Sequence, residues 1–311
     1  KGRLGAFNLG YFGPGANEDA GQIKSLDKLK PLYDTAAARN LAEHAYIYGF
    51  DEQPLTQELD DAARDIKKLL PDSFILTTAK SQTYGAGDCL AKDIDGWVPL
   101  TANYDVTLAQ KARQEGKQVW WYIANWPMHP YANWELEYDA IEARLLMGAM
   151  AQKYQPDGFL YYATATFRDN KALKSDTPFT SWRADSWESW HGDGQLLYFG
   201  EKGNLIPSIR LENFRDGLED YAYARILERM IAEGKAKPAL TANEQVWLGQ
   251  AEEAVKVPPT LVENLTQYNR STTALYEWRS KIAESITSSP FADMNVWNDD
   301  FRIKKSNIRR Q

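Results

Sequence analysis

One cysteine, Cys89, stands in 311 residues, and a single thiol can form neither an intrachain disulfide nor a thiolate metal cluster. The redox compartment is left open by that count. Three histidines, His44, His129 and His191, are scattered along the chain and provide no clustered metal site, so no metal and no other cofactor is expected. A run of about 18 apolar residues, the minimum for a membrane-spanning helix, is missing as well. Basic residues are outnumbered 36 to 43, giving a net charge of −7 and a pI near 5.2. That balance carries no footprint for nucleic acid and no cationic surface for anionic lipid. The opening Lys1-Gly-Arg-Leu-Gly-Ala-Phe7 has no signal-peptide pattern, so the chain is expected to be soluble, with any secretion signal removed or never present.

What the chain does contain is enough apolar material for a sizeable core. Hydrophobic residues make up 43%, which rules out a disordered chain and suits one large domain or a domain with an appendage. Aromatic residues reach 13%, with 11 Trp, 17 Tyr and 11 Phe. Sugar-binding clefts use such rings to stack on C–H faces, and large cores use them too, so the excess only tilts the reading toward a carbohydrate partner.

Strand and helix patterns alternate along the chain. Strand-like runs occupy Leu4 to Phe12, Ala45 to Phe50, Phe74 to Ala79, Gly96 to Asn103, Val119 to Asn125 and Gly158 to Ala163. Helical spacing fills Ser25 to Ala45, with Ser25 a cap and Pro31 a break, then Thr56 to Leu70, Leu108 to Gly116 and Ile141 to Tyr154. On the second of these, Leu59, Ala62, Ala63, Ile66, Leu69 and Leu70 form the buried face, and Asp60, Asp61, Lys67 and Lys68 the solvated one. Such alternation predicts an α/β fold with a parallel sheet, and at this pitch a (β/α)8 TIM-type barrel. Six strands rather than eight means either that two weak ones escape pattern reading or that the chain lacks the first two. In the second case another polypeptide segment completes the barrel. From Thr241 onward the chain is helical and polar, so a catalytic barrel over residues 1–235 and a helical extension over 236–311 are expected.

The run Tyr46-Ile-Tyr-Gly-Phe-Asp51-Glu52 is the centre of the functional reading. Its apolar part suits a strand covered on both faces, Gly49 permits close approach, and Pro54 ends it. Two adjacent carboxylates then stand where a barrel keeps its catalytic groups. The plainer alternative is that Asp51 caps the next helix and Glu52 is a solvated first-turn acid. An ordinary glycosidase brackets the scissile bond with carboxyls roughly 5 to 9 Å apart, which neighbours on one strand do not easily do. Adjacent acids can divide the work when a 2-acetamido sugar brings its own nucleophile. One then protonates the leaving oxygen while the other polarises the amide N–H.

Further candidates come from the loops. Asn103, Tyr104 and Asp105 are delivered to one strand end, and Trp120-Trp-Tyr122 lies in the next strand. Trp182, Trp187 and Trp190 sit in a long polar loop, where they either stack on sugar or anchor the loop. Asp193, between Gly192 and Gly194, either reaches sugar hydroxyls or serves a tight turn. Arg210, Glu212, Arg215, Asp216, Glu219 and Asp220 alternate in sign and predict an ion-pair network that fixes their helix.

Tyr-Gly-Phe-Asp51-Glu52, Trp120-Trp-Tyr122, Ile141-Glu-Ala-Arg144, Gly158-Phe-Leu-Tyr161, Gly192-Asp-Gly194 and Ile209-Arg-Leu-Glu-Asn-Phe-Arg-Asp-Gly-Leu-Glu-Asp-Tyr221 follow one another in a fixed order. That ordered series resembles the catalytic domain of glycoside hydrolase family 123 over roughly residues 4 to 232. The resemblance implies a (β/α)-barrel β-N-acetylgalactosaminidase with a retaining, substrate-assisted mechanism, acting on a glycan or glycolipid. It implies Glu52 as general acid/base and Asp51 as the group that orients the acetamido moiety and stabilises an oxazolinium-like intermediate. Tyr122 or Tyr104 would hold the acetamido oxygen, with Trp182, Trp187 and Asp193 as sugar-contacting candidates. The substrate class favours a secreted or periplasmic location.

Two departures accompany it. The family carries its acid pair deep in the chain, after a β-sandwich domain and the first barrel strands, whereas here it falls at 51 and 52. The family also tends to place a tryptophan after its Leu-Tyr pair, where this chain has Tyr162. Two other classes remain in view. One is a non-catalytic carbohydrate-binding relative. The other is a conventional two-carboxylate glycosidase, pairing Glu52 with a distant Asp105 or Asp193 and acting on sugars that lack an acetamido group.

Overall fold

The computed structural model describes residues 6–13, 26–87, 90–166, 191–199 and 204–291. Two compact units divide them, one containing residues up to Tyr122 together with Pro156–Leu160, the other Ile123–Gln155 and the chain from Tyr161.

The first unit is built from parallel strands joined by helices. Its elements are β1 (Phe7–Phe12), α1 (Leu29–Ala38), β2 (Ala45–Gly49), α2 (Gln57–Leu69), β3 (Phe74–Thr77), β4 (Gly96–Trp97), α3 (Val106–Gln114), β5 (Gln118–Val119), β6 (Trp121–Tyr122) and β7 (Phe159–Leu160). Strands β1 to β5 pair in sequence order, every pair parallel. Across Trp120 the chain passes from β5, which pairs with β4, to β6, which pairs in parallel with β7. Trp120 itself donates its N–H to Trp97 O at 2.8 Å, so the ladder with β4 continues into the break. Mixed α/β architecture with a parallel sheet is therefore what the strand–helix alternation produces.

Period-two alternation assigns the faces of that sheet. Phe74, Leu76, Val98, Trp120 and Tyr122 cluster on one face, with Tyr46, Tyr48, Leu100 and Leu160 packed against them. Helix α2 begins at Thr56, whose side chain accepts the N–H of Leu59, carries Glu58 and Asp60 in its first turn and ends on Lys67 and Lys68. Those signs suit the helix dipole at both ends. Leu59, Ala63 and Ile66 are fully buried. Asp60, expected on the solvated face, is buried instead, because its Oδ1 accepts the N–H of Ala91 at 2.6 Å. Pro31, expected to break α1, lies in its first turn, where the absent N–H costs no helical bond. Ser25, the expected cap, falls outside the described residues.

The second unit is mainly helical. Ile141 to Tyr154 forms α4 (Ile141–Leu145), a π turn (Leu146–Met150) and α5 (Ala151–Tyr154), one after another. A hairpin of β8 (Leu197–Phe199) and β9 (Leu205–Pro207) leads through the cap Ser208 into α6 (Ile209–Lys235). Then come α7 (Ala242–Ala254), entered through a Thr241–Glu244 capping box, the hairpin β10 (Val262–Asn264) and β11 (Gln267–Tyr268), and α8 (Thr272–Thr287). Among the described residues no helix is long and apolar enough to cross a membrane.

The alternating charges of α6 split into separate roles. Asp220 is fully buried and takes Arg144 through Nε at 2.6 Å and Nη2 at 3.0 Å, and Arg279 through Nε at 2.9 Å, so it ties α4, α6 and α8 together. Arg215, with Glu212 and Asp216, stays at the surface. Removing one member of a buried ion pair strands its partners' charges in the interior. Asp220→Ala is accordingly expected to cost about 3 to 5 kcal/mol, read as a lowered midpoint in urea unfolding, whereas Arg215→Ala should cost under about 1 kcal/mol.

Candidate active site

The turn after β2 carries both acids and is held in an unusual backbone shape. Phe50 and Glu52 have φ of 52° and 55°, in the left-handed region that side chains other than glycine seldom adopt. Each such residue costs on the order of 1 kcal/mol or more and persists only where its surroundings hold it. Several neighbours do so here. Phe50 donates its N–H to Phe12 O at 3.2 Å, Asp51 its N–H to Tyr11 Oη at 3.2 Å, and Thr77 its hydroxyl to Gly49 O at 2.7 Å. Lys80 N–H closes the far side on Gln53 O at 2.8 Å. Gly49 is required at this place, since a Cβ there would lie 2.1 Å from Phe12 O.

Each carboxylate is gripped through one oxygen by hydroxyls, from β2 itself and from other strands. Asp51 Oδ1 accepts a very short hydrogen bond from Tyr48 Oη and another from Thr78 Oγ1 at 2.8 Å. Thr78 Oγ1 in turn accepts the N–H of Glu52 at 2.9 Å. Glu52 Oε1 accepts from Tyr122 Oη at 2.6 Å. Among the described residues neither Asp51 Oδ2 nor Glu52 Oε2 receives a hydrogen bond, and the Glu52 residue is exposed. Burial, reinforced by the adjacent carboxylates, raises the pKa of Tyr48 and Tyr122 far above the ordinary phenol value, and Tyr11 is pushed up to about 12, mainly by burial. All three phenols therefore keep their protons, and those of Tyr48 and Tyr122 are donated to the acids.

Of the two tyrosines named from the sequence, the structure brings Tyr122 to the acid pair. Tyr104 packs instead on Trp121, ring centres 5.3 Å apart, and its hydroxyl accepts from Arg113 Nη2 at 3.0 Å. Trp121 and Tyr122 are successive strand residues and project to opposite sides of the sheet, so Tyr104 belongs to the face away from Tyr48 and Tyr122. Asp105 caps α3, its Oδ1 accepting Leu108 N–H at 2.8 Å. The residues that sequence reasoning missed are Tyr11, Tyr48 and Thr78. A signal was present: Tyr48 stands three residues before Asp51 in the same run, and Thr77-Thr78 places two hydroxyls at the end of an apolar strand.

In the second unit Asp193 is 1% exposed. Its carboxylate accepts from Tyr161 Oη at 2.9 Å, and that same phenol oxygen accepts the N–H of Gly194 at 2.8 Å. Through Tyr161, Asp193 therefore fastens its own Gly-Asp-Gly turn. Trp182 and Trp187 lie outside the described residues, as does Trp190. Arg210 donates to the carbonyls of Trp134 and Gly192, both at 2.9 Å, and to that of Gln195, binding this turn to the segment before α4.

Glu135 stands beside these groups, 4% exposed, and its Oε1 has no hydrogen-bond partner among the described residues. Burial first, then the charges of Asp193 and Glu137, push its pKa up to about 7, against the pull of Arg210. A carboxyl whose folded pKa lies above its unfolded value near 4.5 favours folding at low pH. That contribution is lost as pH rises from about 4.5 through about 7. Glu135→Gln cannot ionise and escapes the loss. Its melting temperature relative to wild type is therefore expected to rise between pH 5 and pH 8, by the equivalent of about 2 to 3 kcal/mol, as measured by thermal unfolding at both values.

Comparison with known proteins assigns the chain to a family of glycoside hydrolases. The model described as Glycoside hydrolase 123, catalytic domain, matches residues 26–227, and the chain belongs to that family. No curated protein matches the chain. The match runs from just before α1 through the acid turn and most of α6. The protein is thus a glycoside hydrolase with a carbohydrate substrate.

Proposed function

We propose that the protein is a retaining β-N-acetylhexosaminidase, specifically a β-N-acetylgalactosaminidase, that uses the acetamido oxygen of its substrate as the nucleophile. The observation that carries this reading is the pair of adjacent carboxylates, each fixed through one oxygen by a hydroxyl grip of its own and each with its second oxygen free of hydrogen bonds among the described residues. Glu52, the exposed member, protonates the leaving glycosidic oxygen and later activates water. Asp51, half-buried, accepts the amide N–H, orients the acetamido group for attack on the anomeric carbon and stabilises the positive charge of the oxazolinium. Tyr122 lies one hydrogen bond from Glu52, placed to hold the acetamido oxygen once substrate displaces that bond. Five consecutive parallel strands, β1 to β5, a further parallel pair β6 and β7, and the acids at a strand end support a (β/α)8 barrel as the scaffold.

The conventional two-carboxylate alternative has less support, because Asp105 serves as a helix cap and Asp193 is buried and held by the Tyr161 hydroxyl. Release of 4-nitrophenol from the β-N-acetylgalactosaminide, the β-N-acetylglucosaminide and the plain β-galactoside distinguishes the readings. Turnover confined to acetamido sugars, highest on the galactosaminide, is expected. Equal turnover of the plain galactoside would remove the substrate-assisted reading, and no turnover by folded protein would favour a binding relative.

A further inference from the structure

Among the described residues, Thr78 is the one side chain hydrogen-bonded to both members of the acid pair. It comes from the end of β3, a strand away from the acids, and is buried at 5% exposure. Its hydroxyl proton goes to Asp51 Oδ1 at 2.8 Å, while its oxygen accepts Glu52 N–H at 2.9 Å. Tyr48 Oη lies 2.8 Å from the same oxygen and donates to the same Asp51 Oδ1. With a single proton on each hydroxyl, the two donors converge on one carboxylate oxygen and leave the other turned away from the grip.

The backbone side of the arrangement matters equally. Glu52 sits at φ 55°, a conformation that needs external support, and its N–H is satisfied by Thr78 rather than by a strand ladder. The same threonine thus sets the rotation of the Asp51 side chain and the direction in which the Glu52 side chain leaves the main chain. Its neighbour Thr77 pins Gly49 O from the other side of the strand, so β3 holds the turn by two consecutive hydroxyls.

We propose that Thr78, with Tyr48, is a positioning residue for the reaction, fixing which oxygen Asp51 presents to the substrate amide and the angle at which Glu52 reaches the leaving group. This inference rests on the substrate-assisted reading of Asp51 and Glu52. It goes beyond it in assigning the precision of the pair to a hydroxyl on another strand. Misplacement of a catalytic group by about 1 Å is worth about 10²-fold in rate, which sets the expected scale.

The test uses Thr78→Val, which keeps shape and removes the hydroxyl, Thr78→Ser, which restores it, and Tyr48→Phe, each on the full chain with 4-nitrophenyl β-N-acetylgalactosaminide. Thr78→Val should lower kcat by about 10²-fold with KM changed by less than about threefold, and Thr78→Ser should recover most of the rate. In the Asp51→Asn background Thr78→Val should cost less than it does in the wild type, because the share of its effect that runs through the Asp51 carboxylate is already lost and only the share through the Glu52 N–H remains. Full activity of folded Thr78→Val, or losses that multiply in the double variant, would overturn the inference. Should Thr78→Val fail to fold, the same comparison with Tyr48→Phe decides it by the same two criteria. A wild-type chain inactive on acetamido sugars would sink the underlying reading instead, and the two failures are separable.

Discussion

Glu52→Gln is expected to lower kcat by about 10²- to 10⁴-fold on substrates with poor leaving groups, and much less on 4-nitrophenyl or dinitrophenyl glycosides. Glutamine keeps the size of the side chain and can still accept from the Tyr122 hydroxyl that lies 2.6 Å from Oε1, so the fold and the local hydrogen bond survive. What disappears is a transferable proton. A glycoside whose aglycone leaves as a stable phenolate needs little protonation in the transition state, while an alkyl or sugar aglycone depends on it. The variant should therefore show a steep dependence of rate on leaving-group pKa where the wild type shows a shallow one. A uniform loss across leaving groups would remove Glu52 from the acid role.

Asp51→Asn should behave differently, losing about 10²- to 10³-fold even on activated aryl glycosides. The step it impairs is formation of the ring between the acetamido oxygen and the anomeric carbon, which precedes or accompanies departure of every aglycone alike. Asparagine retains an oxygen for Tyr48 and Thr78 to grip, but an amide carries no negative charge to offset the developing oxazolinium. Its NH2 group would also meet the substrate N–H donor to donor. The contrast between the two variants, one sensitive to leaving group and one not, assigns the roles more sharply than either loss alone. Equal leaving-group behaviour in both would mean that the acids do not divide the work.

Much of the strand framework was legible from the sequence because buried parallel strands read as short apolar runs, as in Tyr46 to Phe50, Phe74 to Leu76 and Val119 to Tyr122. Family membership was legible for a related reason: motifs such as Phe-Asp51-Glu52 and the long α6 segment keep their order along the chain. The side of the sheet that Tyr104 occupies could not be counted from the sequence. A 3-10 turn at Thr101–Asn103 interrupts the period-two alternation between Trp97 and Tyr104. Thr78 and Tyr48 were hidden by their ordinariness, since a threonine or tyrosine in a strand is read as a β-former until a third group is known to face it. Asp60 and Asp193 show the same limit. A helix acid that meets Ala91 N–H and a turn acid that meets the Tyr161 hydroxyl are both defined by segments far away in sequence.

The central claim is that the substrate supplies its own nucleophile through the acetamido oxygen, and the most direct measurement compares 4-nitrophenyl glycosides whose N-acetyl group carries zero, one, two or three fluorines. Each fluorine weakens the amide oxygen as a nucleophile and leaves the aglycone unchanged. Substrate assistance predicts that log kcat falls steeply and linearly along the series, and that the released sugar is first seen as the β-anomer. A rate indifferent to fluorination would contradict the account, because a protein carboxylate would then be attacking the anomeric carbon.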